Sequence, residues 1–168
     1  MGNAITRGAE MRMRMALMQS LVLTGLALVG ASPAVAATAT ELGAAQRYVE
    51  SIYARLPGDF DYRSVRYTPA LKALIARDDA CAAEGGGYCV IDAVPFCDCQ
   101  DTGTDYRVVG STVTAIGRSG ARVTVNMRNG GKVRYSVDLT LAKGVWYVAD
   151  IATPGTPSFA AKLQQGLR

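Results

Sequence analysis

Histidine is absent from the 168-residue sequence. Its absence excludes Ser-His-Asp and Cys-His nucleophile systems, histidine general bases and histidine-ligated zinc or iron. Charged residues are also scarce, at 19%, whereas 49% of the residues are hydrophobic, which is typical of a globular chain. The lysines and arginines are scattered singly, without the basic stripe of a nucleic-acid-binding protein. We therefore expect one folded domain with an additional segment, and no nucleic acid as a partner.

Long apolar runs are missing except near the N-terminus. Ala16–Ala31 is apolar, follows a segment with three arginines and precedes small residues at Ala34 and Ala36. This pattern predicts a secretory signal peptide over residues 1–36, with cleavage after Ala36, and a single domain over residues 37–168 in the periplasm or outside a bacterial cell. A retained membrane anchor is the alternative, but the run is short for a spanning helix, so we expect no membrane attachment after cleavage.

Two helices are predicted at the start of the mature chain. Apolar residues recur at steps of three and four over Leu42–Leu56, with Thr40 as the expected N-cap. The second helix is expected to begin after Thr68, which is followed by proline, and to end near Ala82 or Ala83, before a run of three glycines.

Four strands are predicted after the helices. Their expected bounds are Val108–Ile116, Ala121–Met127, Lys132–Leu141 and Val145–Ala152. Apolar and polar residues alternate along them, and the connections are short and rich in glycine, so consecutive strands must pair antiparallel. We predict an α+β fold in which the N-terminal helices pack on one apolar face of a curved, four-stranded antiparallel sheet, followed by a short C-terminal helix from Phe159.

The segment Cys89–Asp101 reads CVIDAVPFCDCQD, follows a helix of the type YTPALKALIARDDA and precedes a sheet that ends in GVWYVADI. In these phrases, and over roughly Tyr48 to Leu163, the chain resembles an uncharacterised family of bacterial secreted proteins, domain of unknown function 3828 (DUF3828). The resemblance implies a cone-shaped fold similar to the nuclear transport factor 2-like (NTF2-like) and ketosteroid isomerase-like superfold. It implies no established reaction, because that superfold carries enzymes and binding modules alike.

The four cysteines lie close together in the sequence: Cys81, Cys89, Cys97 and Cys99. An even number in an exported chain predicts two disulfides. If residues 96–100 are extended, Cys97 and Cys99 point to the same side. We therefore predict a crossed or nested pairing in which each of them bonds to either Cys81 or Cys89, and the choice between these two forms stays open. The third pairing contains a Cys97–Cys99 ring, which strain disfavours.

Two functional alternatives exist for the cysteine segment. A redox-active Cys97/Cys99 dithiol is opposed by Asp98 and Asp101, whose charge works against thiolate formation. A four-thiolate zinc site is compatible with the spacing but is disfavoured in an oxidising compartment. We therefore predict no metal and no cofactor.

Carboxylates are the remaining candidates for chemistry. Asp138 is expected on the solvated face of the sheet, whereas Asp150 shares the parity of Trp146 and approaches an interior edge. Asp101 follows Gln100 and begins a turn signal, where an aspartate commonly accepts backbone N–H groups. The predicted binding residues are Gln100, Asp101, Trp146 and Asp150, and no catalytic residue is assigned.

We predict an exported, non-catalytic binding or interaction module, whose partner is a small ligand inside the cone or an envelope protein on the polar sheet face. A periplasmic immunity-type protein, which blocks a toxin, is one variant. The alternative is a small isomerase- or hydrolase-like enzyme that uses a buried aspartate with a tyrosine. The tyrosines considered for that role are Tyr106, Tyr135 and Tyr147. The sequence does not determine the oligomeric state.

Overall fold

A computed structural model of the protein describes residues 36–58 and 60–168. The described residues form, in order, α1 (Ala39–Tyr53), α2 (Pro69–Gly85), β1 (Arg107–Ile116), β2 (Gly120–Arg128), β3 (Lys132–Ala142), β4 (Val145–Ala152) and α3 (Phe159–Gly166). Within these ranges no helix is long and apolar enough to cross a membrane. The predicted signal peptide lies outside the described residues apart from Ala36, so its cleavage stays a prediction.

Capping side chains set where the two N-terminal helices begin. The prediction of Thr40 as the first N-cap is wrong, because Thr38 and Glu41 form a capping box: Thr38 Oγ1 accepts the Glu41 N–H at 3.2 Å and the Glu41 carboxylate accepts the Thr38 N–H at 2.7 Å. The second helix begins after Thr68 as predicted. It continues past the predicted end to Gly85, since Gly86 supplies the left-handed cap at φ 68°.

The four strands form one open antiparallel sheet in the order β1-β2-β3-β4. Each observed strand end lies within one residue of the predicted one. A bulge at Val109 shifts the register of β1 against β2, and a second bulge shifts β3 against β4 between Asp138 and Leu139. The meander predicted from the short turns is therefore confirmed.

One face of the sheet carries the core. The alternate residues of β2 and β3 that face it are buried: Ala121, Val123, Val125, Met127, Tyr135, Val137 and Leu139. Helix α1 packs over β1 and β2, while α2 and α3 pack at β4. Trp146 of β4 connects the sheet to α1, because its indole Nε1–H donates a hydrogen bond to the Glu41 carbonyl at 3.0 Å. The predicted α+β class, with helices covering the apolar sheet face, is confirmed.

Candidate functional site

The disulfides join neighbouring cysteines. Cys81 pairs with Cys89 and Cys97 pairs with Cys99, so the prediction of a crossed or nested pairing is wrong. The cause is the backbone around Asp98, which is not extended but takes a left-handed conformation at φ 52°. The resulting turn brings the Cα atoms of Cys97 and Cys99 to 5.1 Å from each other, closer than the roughly 6.6 Å between alternate residues of a strand.

All four sulfur atoms are therefore used in these two bonds. The thiolates that the zinc alternative requires are not present in this oxidised state. Within the described ranges there is also no cluster of three or more cysteine, aspartate or glutamate side chains arranged to hold a metal.

The predicted binding residues do not come together. Trp146 is a core residue that is 4% exposed. Asp150 caps α3, because its carboxylate accepts the Ala160 N–H at 2.9 Å and the Ser158 hydroxyl at 2.6 Å. Gln100 and Asp101 are not among the residues that contact this cap, and they lie on the exposed rim of a cleft beside the Cys97–Cys99 disulfide.

The turn role predicted for Asp101 belongs to another residue. In the described part of the chain Asp101 accepts no backbone hydrogen bond, whereas Asp105 Oδ1 accepts the Gly130 N–H at 2.7 Å. Asn129 makes a second contact between the same two segments, because its side-chain oxygen accepts the Gly103 N–H at 2.8 Å. These contacts attach the chain before β1 to the β2–β3 turn.

Two of the tyrosines considered for acid–base chemistry, Tyr106 and Tyr135, are held as neutral phenols. Burial raises the pKa of Tyr106 and of Tyr135 above the ordinary value. The Tyr106 hydroxyl donates to the Tyr53 carbonyl at 3.2 Å, and the Tyr135 ring stacks on Tyr53 at 5.6 Å. Their surroundings are therefore those of core side chains, and neither contacts Asp101 or Asp150 through a hydrogen bond.

The polar face of the sheet gathers positive charge at one end. Arg107 lies directly opposite Arg128 across β1 and β2, and Arg128 lies directly opposite Lys132 across β2 and β3. Arg134 follows Lys132 on the same face, opposite Asn126. We call Arg107, Arg128, Lys132 and Arg134 the cationic cluster. Adjacent strands are about 4.8 Å apart, so three of these cations stand in a row across about 10 Å.

Little negative charge compensates the cationic cluster. Asp105 reaches Arg128 at 3.7 Å, and its other oxygen is engaged with the backbone of the β2–β3 turn. Arg107, Lys132 and Arg134 form no ion pair within the described residues. By contrast, Arg122 farther along the same face is held by both oxygens of Asp138, at 2.6 and 2.7 Å.

The cluster lines an open groove of about 890 Å³ formed by the ends of β1, β2 and β3. Its wall includes Val109, the bulged residue of β1, which is 64% exposed. Like charges directly opposite each other in a sheet are destabilising, so this arrangement lowers the stability of the free protein. A groove lined by charges of one sign attracts ions of the opposite sign.

Comparison of the chain with protein-family models, with curated proteins and with solved structures gives no match.

Sequence reasoning missed the cationic cluster, although part of the signal is present. Alternation places Arg128, Lys132 and Arg134 on the polar face, and the Asn-Gly-Gly turn between Arg128 and Lys132 forces these two side chains to stand opposite each other. The position of Arg107 depends on the bulge in β1, and the local sequence pattern does not predict this bulge. The positive charges that are scattered along the sequence are thus brought together by strand pairing.

Proposed function

We propose that the protein is an exported, non-catalytic interaction module, and that the cationic cluster binds an acidic segment of another envelope protein. The observation that supports this most strongly is the row of Arg107, Arg128 and Lys132, three cations in register on three adjacent strands. The sheet fixes the backbone spacing of these residues, so on the protein's side the ordering cost of recognition falls on the side chains alone.

The spacing of the cluster suits an extended acidic peptide. Alternate side chains of an extended strand are about 6.6–7 Å apart on one face, which is within reach of arginine and lysine side chains that start about 4.8 Å apart. Arginine adds the option of bidentate contacts with carboxylates. The exposed Val109 side chain supplies apolar contact at the rim of the groove.

The interior offers less support for a ligand between helices and sheet. Tyr53, Phe96, Ile52 and Leu71 are among the largest fully buried side chains, and all four belong to the hydrophobic core cluster. The enzyme alternative loses its motivation as well, since Asp101 is exposed and Asp150 is committed to the cap of α3.

Membership of the DUF3828-like family, an NTF2-like cone and export to the periplasm are parts of the same proposal. The order of two helices followed by an antiparallel meander supports the NTF2-like relationship. The apolar N-terminal segment and two disulfides support export into an oxidising compartment.

Binding of a labelled hexaglutamate peptide, followed by fluorescence anisotropy at low ionic strength, tests the proposal. We expect Arg128→Gln and Lys132→Gln each to weaken binding by about two- to fivefold, equivalent to about 0.5–1 kcal/mol for an exposed ion pair. The double charge reversal R128E/K132E should abolish binding. Binding by the parent protein should weaken as added salt shortens the Debye length.

Arg118→Gln is the matched control, because Arg118 is an exposed arginine in the β1–β2 turn at the opposite end of the sheet. It should bind the peptide as the parent does. The melting temperature of Arg128→Gln should equal or exceed that of the parent, since the substitution removes repulsion within the row. Equal losses of binding in Arg118→Gln and Arg128→Gln would contradict a localised site.

A further inference from the structure

The Cys97–Cys99 disulfide closes a turn that other bonds already close. The Val94 N–H donates to the Cys99 carbonyl at 2.9 Å, and the Val94 carbonyl accepts the N–H groups of Cys97 and Asp98 at 3.2 and 2.9 Å. The Asp98 carboxylate also accepts the hydroxyls of Thr153 and Thr156 at 3.4 and 3.3 Å. Reduction of the disulfide would therefore leave the two sulfur atoms close together.

The two disulfides differ in what they constrain. Cys81–Cys89 encloses the end of α2 and its glycine-rich loop, with a sequence separation of 8, whereas Cys97–Cys99 spans a separation of 2. A crosslink stabilises mainly by restricting the unfolded chain, and this effect grows with the length of the closed loop. The Cys97–Cys99 bond is thus the weaker structural crosslink. Stabilisation of the fold therefore gives little reason for this bond.

A cleft gives access to this bond. Cys97 and Cys99 both line an open cleft of about 510 Å³, together with Leu56, Phe60 and Gln100. Cys97 is 6% exposed, whereas Cys99 is half-buried and is the more exposed of the two residues. The walls of the cleft are partly apolar and partly polar, as a polypeptide ligand requires.

We propose that Cys97–Cys99 is a thiol–disulfide exchange site that oxidises a dithiol in a partner polypeptide bound in this cleft. The partner's first thiolate attacks Cys99 Sγ, the Cys97–Cys99 bond breaks, and Cys97 leaves as a thiolate that takes up a proton. The partner's second thiolate then attacks the partner sulfur of the mixed disulfide and releases Cys99. Two electrons pass to the protein, which becomes a dithiol, and the partner gains one disulfide.

The surroundings of Cys97 favour the protonated thiol, which is the form of Cys97 once the exchange is complete. The carbonyl oxygens of Val94 and Cys99 lie 3.7 and 3.8 Å from Cys97 Sγ, where they can accept an S–H group. The attacking thiolate belongs to the partner, so the first step requires no nucleophilic thiolate of this protein, and Asp98 and Asp101 affect only how fast the Cys97 thiolate leaves. This site is separate from the cationic cluster and does not depend on the proposed acidic ligand.

The test uses the oxidised protein in glutathione buffers of graded composition, quenched with acid, alkylated and mapped by mass spectrometry. We expect both disulfides to open reversibly as the buffer becomes more reducing. The ratio [GSH]²/[GSSG], of reduced (GSH) to oxidised (GSSG) glutathione, at which half of Cys97–Cys99 is open should be at least tenfold lower than the ratio for Cys81–Cys89. Each single variant leaves one cysteine of the pair free. Cys99, which is free in Cys97→Ser, should form a mixed disulfide with glutathione at least tenfold faster than Cys97, which is free in Cys99→Ser.

A synthetic peptide with two reduced cysteines supplies the functional readout. The oxidised protein should convert one equivalent of this peptide to its disulfide, Arg118→Gln should do so equally well, and the double variant C97S/C99S should not. That double variant should also keep the circular-dichroism spectrum of the parent, because the turn is held by backbone hydrogen bonds. Opening of Cys81–Cys89 before Cys97–Cys99, equal reactivity of the two single variants, or unfolding of C97S/C99S would overturn the proposal.

Discussion

Phe96→Ala is expected to destabilise the protein by about 3–5 kcal/mol, the usual cost of removing a buried aromatic ring. Phe96 is fully buried, although it lies in the irregular segment between α2 and β1. Its ring meets those of Tyr53, Phe60 and Tyr67 with centroids 5.9–6.5 Å apart, and its carbonyl accepts the Tyr53 hydroxyl at 3.0 Å. The loss is measured as the free energy of unfolding in urea.

Two variants accompany this measurement. Phe96→Leu keeps most of the volume and should cost less than about 1.5 kcal/mol. Tyr88→Ala removes an aromatic ring that is 81% exposed and should change stability by less than about 0.5 kcal/mol. A loss below about 1 kcal/mol for Phe96→Ala would show that this segment is not anchored in the core.

Asp78→Ala is expected to be the second most costly substitution. Asp78 is 2% exposed on α2, and its Oδ1 accepts the N–H groups of Val90 and Ile91 at 2.7 and 3.3 Å. Removing this acceptor leaves buried donors without a partner, at about 1–3 kcal/mol each. Chemical denaturation should therefore show a clear loss of stability, with Asp78→Asn less affected because it keeps one oxygen at the same position.

The neighbouring aspartate provides a matched control. Asp79 lies on the same helix and pairs with Arg63 at 2.6 Å, but both side chains are partly exposed, so Asp79→Ala should cost no more than about 1 kcal/mol. If Asp78→Ala and Asp79→Ala lose the same stability, Asp78 does not anchor the segment after Cys89.

The regular elements were predictable because their signals are local. Alternation along β3 and the glycine-containing turns fix strand bounds and antiparallel order, and the Thr68-Pro69 pair marks the start of α2. The start of α1 was misplaced because Thr38 and Thr40 are both good caps. Glu41, three residues after Thr38, completes the capping box and decides between them.

The irregular segment between α2 and β1 was less predictable, because tertiary contacts determine its backbone. The pairing of the cysteines depends on the left-handed conformation of Asp98. Contacts with Thr153 and Thr156, in the segment between β4 and α3, support this conformation. Asp78 is not part of any recognisable sequence motif. Its role in anchoring the segment after Cys89 is seen only from its burial in the structure. The cationic cluster depends likewise on strand register, and above all on the bulge at Val109.

The most direct test of the proposed function is a residue-by-residue map of peptide binding by nuclear magnetic resonance. Amide signals of the 15N-labelled protein are followed while hexaglutamate peptide is added at low ionic strength. We expect the largest shifts at Arg107, Arg128, Lys132 and Arg134, with little change at Arg118 and in the β3–β4 turn. Shifts that are absent, or that spread evenly over all exposed lysines and arginines, would contradict a binding site at this end of the sheet.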